Sequence, residues 1–179
     1  VRLFTPMMLE AAAQGPNYRG HITNTASMAG LLTAPNMGIY NAAKAAVVSL
    51  TETLYHDLNL VTDQIGASVL CPYFVPTGIT SSERNRQDAP QAAQLTKSQL
   101  IGQAMSNKAV SSGKITAGEI AHRVFDAISA NQFYVFSHPK ALGNVQSRME
   151  NIVSVTNPAD PFLARPEIGE ALRAQLRAA

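Results

Sequence analysis

Hydrophobic residues recur along this chain with two different periods, one typical of helices and one typical of buried strands. From Ile39 to about Leu60, apolar side chains recur at a spacing near 3.6, which predicts a long helix. The side chains on this predicted apolar stripe are Ala43, Val47, Leu50, Leu54 and Leu58. The run IGASVLCPYFV that follows is almost continuously apolar, which indicates a strand covered on both faces of a parallel sheet.

Shorter segments extend this alternation of helices and strands to both ends of the chain. The other predicted elements are a helix that ends near Gln14, the strand HITNTA, a helix from about Gln91 to Ser106, a helix that opens with the capping box Thr116 and Glu119, the strand QFYVFSHP, and helices from Ala141 to about Val155 and from Pro166 to Arg177. Glycines and a proline keep the segment SMAGLLTAPNMG from forming a regular helix.

The order of these elements predicts the fold class. Helices that alternate with strands imply a parallel sheet with right-handed crossovers, so we predict one α/β domain over residues 1–179. The polar stretch TGITSSERNRQDAP is long for a structureless connection, and we interpret residues 76–112 as a flap over a functional site. Residues 139–179 are predicted to form a helical C-terminal extension.

Composition and charge narrow the class of function. Apolar residues make up 46% and charged residues 15% of the chain, as in a folded globule. The formal net charge is only +2 and the basic residues are dispersed, so nucleic acid is not an expected partner. Prolines and glycines interrupt the longest uncharged window, so no membrane span is expected. A single cysteine, Cys71, and no signal-peptide pattern indicate a cytoplasmic location and a buried core thiol.

Polar residues of interest cluster where two strands of the predicted sheet end. Ser27 follows the first strand, and the stretch from Pro72 to Thr77 follows the second. Because ligands of open parallel sheets bind beyond the carboxyl ends of the strands, we expect these residues at one edge of the sheet. Tyr40 and Lys44 lie four residues apart near the start of the intervening helix, and this spacing puts both side chains on one face.

This combination of side chains suits proton transfer at an alcohol or a carbonyl. A tyrosine phenol ordinarily has a pKa of about 10, and a neighbouring lysine cation or helix N-terminus favours the ionised phenol. A serine hydroxyl beside it can hold a substrate oxygen. Each residue also has an ordinary explanation by itself, since an exposed tyrosine beside a solvated lysine is common and a serine often caps a turn. Their joint spacing favours the catalytic interpretation.

These motifs resemble the short-chain dehydrogenase/reductase family. Its members carry a strand that ends in N-x-A-S, a helix with Y-x-x-x-K, and a strand that runs into P-G-x-V-x-T. The matching positions here are Asn24 to Ser27, Tyr40 to Lys44, and the set Pro72, Val75 and Thr77. The resemblance covers Val1 to about Phe136 in the order of elements. It implies a partial Rossmann-like, doubly wound parallel sheet, with about three strands and their flanking helices in this chain.

The resemblance also implies a reaction and a role for each matched residue. An NAD- or NADP-dependent oxidoreductase would interconvert a secondary alcohol and a ketone. Tyr40 would be the general acid/base, Lys44 would bind the nicotinamide ribose and favour ionisation of the phenol, and Ser27 would orient the substrate carbonyl. Pro72, the Val75 backbone and Thr77 would contact the nicotinamide end of the cofactor.

Two features depart from the family pattern. Tyr73 stands where the family usually has glycine, which narrows the backbone freedom beside the cofactor. No two of the eleven glycines lie within two residues of each other, so the family's glycine-rich phosphate loop is not found in this sequence. The chain therefore resembles the C-terminal half of such an enzyme, and we expect it to bind a nicotinamide cofactor weakly or not at all by itself. The sequence does not determine a preference for NAD or NADP.

Two alternatives remain beside the dehydrogenase interpretation. The epimerase or dehydratase branch shares the tyrosine and the lysine, although the chain length after the motif and the sequence after Pro72 disfavour it. A non-catalytic fragment would act through the family's two dimerisation helices, whose small residues here are Ala11 to Ala13, Ala42, Ala43, Ala45 and Ala46. The resemblance implies a homodimer or homotetramer. The four histidines lack ligand-like spacing, so no metal site is predicted, and Glu52 and His56 are interpreted as a solvated pair.

Overall fold

Three parallel strands form the centre of the molecule. The computed structural model describes residues 1–85 and 95–178, without the side chains of residues 83 and 84. The strands are β1 (Gly20–Thr25), β2 (Ile65–Cys71) and β3 (Tyr134–Phe136), and they lie in the order β1-β2-β3. Gly20 lies opposite Ile65 and Val69 lies opposite Tyr134 in the register. The predicted three-stranded parallel sheet is confirmed.

Helices flank this sheet in the predicted order. They are α1 (Phe4–Gln14), α2 (Gly38–Val61), α3 (Lys97–Ser111), α4 (Ala117–Ser129), α5 (Leu142–Val153) and α6 (Pro166–Arg177), with short 3₁₀ segments at Met28–Gly30, Gly78–Asn85 and Pro139–Ala141. The capping box at the start of α4 and both predicted bounds of α6 are confirmed. The connection between β1 and α2 contains no α-helix, as predicted.

The helix predicted from about Gln91 to Ser106 differs most from the structure. Residues 86–94, which include its predicted start, lie outside the described residues. The observed α3 begins after Thr96, whose hydroxyl and backbone form a capping box with Gln99, and it continues to Ser111. A capping box fixes a helix start more strongly than the weak apolar period of this segment, so the predicted bounds were wrong.

Strand β2 is covered on both faces, as its apolar run predicts. Its side chains Ile65 and Ala67 pack with residues of α1 and α2. The next residues on the same face, Val69 and Cys71, pack with Met28 and Val48. Leu70 points to the opposite face and packs with residues of α4 and β3. The carboxyl end of β2 is therefore held rigidly between two layers of helices.

The buried face of α2 is rotated from the stripe predicted by sequence. Val48, Leu54 and Leu58 are buried in the core, whereas Leu50 is 70% exposed and Ala43 is also exposed. An α-helix turns about 100° per residue, which puts the buried Thr51 and Val48 beyond Leu58, on the side away from Leu50 and Ala43. The apolar stripe predicted from the sequence therefore includes two exposed positions, Leu50 and Ala43.

Cys71 ends β2 as a completely buried side chain, as predicted. Burial raises the pKa of its thiol to about 11, so the thiol stays protonated at neutral pH. None of the helices in the described part of the chain is long and apolar enough to cross a membrane.

Glu52 has a different partner from the one predicted. Its Oε1 accepts a hydrogen bond from the Tyr134 hydroxyl at 2.6 Å, and this bond joins α2 to β3. Burial, together with the Glu52 carboxylate, raises the pKa of Tyr134 to about 12. The described contact of the His56 ring is instead with the ring of Tyr55, at 5.7 Å between centroids. The prediction of a Glu52 and His56 pair was wrong, because strand β3, distant in sequence, supplies the described partner of Glu52.

Candidate active site

The ends of β1 and β2 are joined by hydrogen bonds at one edge of the sheet. The Met28 amide donates to the Pro72 carbonyl at 2.8 Å, and the Ser27 hydroxyl donates to the same carbonyl at 3.3 Å. Ser27 Oγ also accepts from the Ala29 amide at 3.1 Å, which caps the 3₁₀ segment Met28–Gly30. The structure therefore brings Ser27 and Pro72 together at the edge where the sequence predicts a site.

Gly30 allows this 3₁₀ segment to lie directly against α2. A Cβ atom at Gly30 would lie 2.6 Å from the Lys44 carbonyl oxygen and 3.0 Å from the Ala45 amide nitrogen. Real Cβ atoms do not approach backbone atoms so closely, so only glycine permits this distance between the two elements. The sequence shows Gly30 as a helix breaker, but its close approach to α2 depends on residues that are distant in sequence.

Lys44 links the helix to the end of β1 and to Tyr40. Its Nζ donates to the Thr25 carbonyl at 3.1 Å, two residues before Ser27. The same Nζ lies 5.8 Å from the centroid of the Tyr40 ring, within the usual range of a cation–π contact. An ammonium group carries three N–H donors, so this hydrogen bond leaves up to two for a ligand. Tyr40 and Lys44 are both half-buried, and they share one face of α2 as predicted.

A buried chain of polar groups fixes β1 against α2. The Asn24 amide donates to Thr51 Oγ1 at 3.1 Å, and the Thr51 hydroxyl donates to the Val47 carbonyl at 2.6 Å. Thr51 is completely buried. Asn24 belongs to the N-x-A-S motif, and this contact explains what it does here: it ties the strand before Ser27 to the helix that carries Tyr40. Sequence reasoning missed Thr51, because a lone threonine in a helix carries no signal.

Replacing Thr51 with valine tests this link. Thr51→Val keeps the shape of the side chain but leaves the Asn24 amide without its buried acceptor, so we expect a loss of about 1–3 kcal/mol in the free energy of unfolding. Urea denaturation followed by circular dichroism measures this loss. The control Thr51→Ser retains the hydroxyl and should lose less, and equal losses in both variants would contradict the role of the hydroxyl.

Asn41, the residue after Tyr40, holds the loop that leads into α2. Its side-chain amide donates to the Ala34 carbonyl at 2.9 Å, and the residue is only 9% exposed. Its Oδ1 is buried and makes no hydrogen bond within the described part of the chain. Asn36 in the same loop adopts a positive φ of 61°, which asparagine tolerates better than most residues. Asn41 was missed by sequence reasoning because its partner depends on the course of the loop.

In the loop after Pro72, Val75 is buried and Thr77 is exposed. Val75 is 8% exposed and its side chain packs with Leu70 and Ile120, so its backbone is the part left for a ligand. Thr77 is exposed, and its Oγ1 accepts from the Ile79 amide at 3.4 Å. No contact described for Thr77 joins it to Ser27, Tyr40 or Lys44. The structure thus brings Ser27 to Pro72 and Lys44 to Tyr40, and Lys44 is bonded to the strand end that leads to Ser27. Val75 and Thr77 lie further along the loop after Pro72.

Tyr73 occupies the usual glycine position without backbone strain. The described non-glycine residues with positive φ do not include it, so the conformation here is one that any residue adopts. Its amide donates to Ser137 Oγ at 2.8 Å, and its ring lies 4.0 Å from the ring of Phe74. Burial raises the pKa of the Tyr73 phenol. The end of β3 therefore braces this loop.

Fold and site together define a class of protein. A parallel sheet with helices on both faces, and polar residues gathered beyond its carboxyl ends, is the arrangement of Rossmann-like α/β proteins that bind a ligand at that edge. Residues 1–88 match the short chain dehydrogenase family. The chain belongs to the short-chain dehydrogenase/reductase family.

Individual relatives share both sequence and structure with this chain. It is 34% identical over 137 residues to a CLA biosynthesis dehydrogenase/reductase of Lactiplantibacillus plantarum, and the match covers 74% of this chain and 48% of that protein. A solved short chain dehydrogenase/reductase from Burkholderia phymatum, in complex with NAD, is 51% identical with a TM-score of 0.84, over 90% of this chain and 56% of that chain.

A putative short-chain dehydrogenase from Novosphingobium aromaticivorans is more distant in sequence, but it matches nearly the whole of this chain. It is 28% identical with a TM-score of 0.60, and the match covers 99% of this chain and 53% of that chain. The chain therefore spans about half the length of these three proteins.

Proposed function

We propose that this chain supplies the proton-transfer side of an NAD- or NADP-dependent oxidoreductase that interconverts a secondary alcohol and a ketone. The observation that supports this most directly is the placement of Lys44, whose Nζ is bonded to the end of β1 and lies over the Tyr40 ring. Ser27 lies two residues beyond that bond, on the same edge of the sheet. One edge thus gathers a phenol, a cation and a hydroxyl.

Each of the three residues has a distinct role in this proposal. During oxidation the Tyr40 phenolate accepts the proton of the alcohol oxygen, while the hydride leaves the carbinol carbon. Lys44 places a positive charge beside the Tyr40 ring, where it would stabilise the negative charge that develops on the phenol oxygen during proton transfer. Ser27 holds the substrate oxygen, which requires its hydroxyl to rotate away from the Pro72 carbonyl. That hydrogen bond is long, at 3.3 Å, so giving it up costs little.

The residues present fit the nicotinamide end of a cofactor. Lys44 keeps up to two N–H donors for ribose hydroxyls, and the exposed Thr77 hydroxyl and the Val75 backbone are positioned along the adjoining loop. The nicotinamide ring, when bound, accepts or returns the hydride. NAD in the Burkholderia phymatum structure supports a nicotinamide cofactor for this chain. The buried, unreactive Cys71 is compatible with the reducing cytoplasm in which we place the protein.

A fusion of this chain to the N-terminal, cofactor-binding part of a relative tests the proposed function. Residues 1–179, alone and fused behind the N-terminal part of the Burkholderia phymatum relative, are mixed with NAD or NADP and a panel of secondary alcohols. We expect the fusion to form reduced cofactor, measured by its near-ultraviolet absorbance, and residues 1–179 alone to form little. Turnover by neither polypeptide, although calorimetry shows that the fusion binds the cofactor, would contradict the proposed function.

A second candidate function is association without catalysis, through α1 and α2. Leu3, Phe4 and Met7 of the α1 region and Ile39 and Leu50 of α2 are exposed apolar side chains, which favours contact with a second copy of the chain. Ala12 does not contribute to such a surface, because it is buried against Leu54 and Leu58, and its predicted role at the dimer interface was wrong. Dimers in light scattering together with inactive fusions would favour this function.

A further inference from the structure

Helix α5, the first helix of the C-terminal extension, packs on the loop that joins β1 to α2. Leu142 and Val145 of α5 contact the same hydrophobic cluster as Leu31 and Leu32 of the loop. One turn further along α5, Arg148 Nη1 donates to the Leu31 carbonyl at 3.1 Å, across 117 residues of sequence. Helix α5 lies beyond residues 1–88, the range that matches the short chain dehydrogenase family, although the solved relatives match a larger part of the chain.

The carbonyl that Arg148 binds, that of Leu31, has no hydrogen-bond donor within the 3₁₀ segment itself. Leu31 caps the 3₁₀ segment Met28–Gly30, and the last carbonyls of a helical segment lack intrahelical donors. Basic side chains satisfy such carbonyls, and a hydrogen bond from a charged donor is stronger than one between neutral groups. Arg148 is half-buried, so water competes less for this bond than on an open surface.

Two other elements hold the same loop at different points. The Asn41 amide of α2 binds the Ala34 carbonyl at 2.9 Å, and the Ser98 hydroxyl of α3 donates to Asn36 Oδ1 at 3.3 Å. The contact from α3 is exposed, whereas the contacts from α2 and α5 are partly buried. Arg148 is the charged donor of this set and holds the end of the loop nearest to Ser27.

We propose that Arg148 is a positioning residue that sets the course of the loop from residue 31 to residue 37 between Ser27 and Tyr40. It acts through the Leu31 carbonyl and does not touch the reacting atoms. The loop joins Ser27, which would hold the substrate oxygen, to Tyr40, which would move the substrate proton. The course of the loop therefore determines which ketones and alcohols fit. This last step rests on the proposed function, whereas the restraint on the loop does not.

Hydrogen exchange tests the restraint in residues 1–179 without any assay of activity. The Leu31 and Leu32 amides both donate to the Met28 carbonyl, so their exchange reports opening of the anchored segment. In Arg148→Met we expect these amides to exchange about tenfold faster, the effect of losing one charged hydrogen bond. Arg148→Lys should restore most of the protection, and amides in the middle of α2 should keep their rates.

The matched control is an arginine of the same C-terminal extension with a different partner. Arg173 forms an exposed ion pair with Asp160 at 2.9 Å, so Arg173→Met should leave exchange at Leu31 and Leu32 unchanged. Equal acceleration in Arg173→Met and Arg148→Met would overturn the proposal, since it would indicate general loosening of the extension. Unchanged exchange in Arg148→Met would overturn it as well.

Steady-state kinetics of the fusion described above test the consequence for substrate. We expect Arg148→Met to raise KM for the ketone or alcohol by about tenfold with a smaller change in kcat and an unchanged KM for the cofactor, and Arg148→Lys to recover most of the loss. An unchanged KM for every substrate would overturn the effect on specificity. Absence of turnover in all variants would contradict the proposed function, while the exchange rates would still decide whether Arg148 restrains the loop.

Discussion

Tyr40→Phe is expected to lower kcat/KM of the fused enzyme by about a hundredfold or more, because phenylalanine keeps the ring over which Lys44 lies but cannot transfer a proton. The affinity for the cofactor should remain, since the Lys44 ammonium and its bond to Thr25 are left in place. Initial rates with a reactive secondary alcohol, together with calorimetric titration of the cofactor, measure the two quantities separately.

The control for this substitution lies on the same helix. Tyr55 packs its ring against Phe133, at 5.0 Å between centroids, in the core below the site. Tyr55→Phe removes the same hydroxyl from α2 and should retain nearly all of the activity. A loss of less than about tenfold in Tyr40→Phe, or a similar loss in both variants, would show that the Tyr40 hydroxyl is not the acid/base group.

Gly30→Ala is expected to destabilise the fold by about 1–3 kcal/mol, because the added methyl group would overlap the backbone of α2 at Lys44. Relief of the overlap requires the 3₁₀ segment to move away from α2, and Ser27 at its start would move with it. We therefore expect kcat/KM of the fusion to fall more than the loss of stability alone explains. Urea denaturation and initial rates measure the two effects.

Gly143 provides a matched control in an open environment. It lies inside α5, and a Cβ atom there would meet no atom within 4 Å. Gly143→Ala should stabilise the protein by up to about 1 kcal/mol, since alanine is the better helix former. If Gly30→Ala were as stable as Gly143→Ala, the close contact between the 3₁₀ segment and α2 would not be essential to the fold.

The elements that sequence predicted well are those whose signals are local. Helix α6 begins with Pro166 in its first turn, and the capping box at Thr116 marks the start of α4. The apolar run of β2 indicated a strand covered on both faces, and its neighbour β1 followed from the alternation of elements. The four-residue spacing of Tyr40 and Lys44 was enough to place both on one face of α2.

What sequence missed depends on contacts between distant segments. The partner of Glu52 comes from β3, and the partner of the Leu31 carbonyl comes from α5. The buried face of α2 could not be distinguished from its neighbouring stripe, because Leu50 and Leu54 are equally apolar and only the packing against β2 separates them. Likewise, the need for glycine at position 30 becomes visible only when α2 lies beside it.

The thiol at the end of β2 can report how often the carboxyl edge of the sheet opens. Cys71 is the one cysteine in the sequence, it is fully enclosed, and it directly precedes Pro72, to which Ser27 and Met28 are bonded. A thiol-specific reagent can modify Cys71 only when the end of β2 separates from the side chains that bury it, such as Met28 and Val48. The rate of labelling therefore measures how frequently the region around Cys71 opens. A ligand that binds only the closed form of this edge should lower the labelling rate as the fraction of bound protein rises.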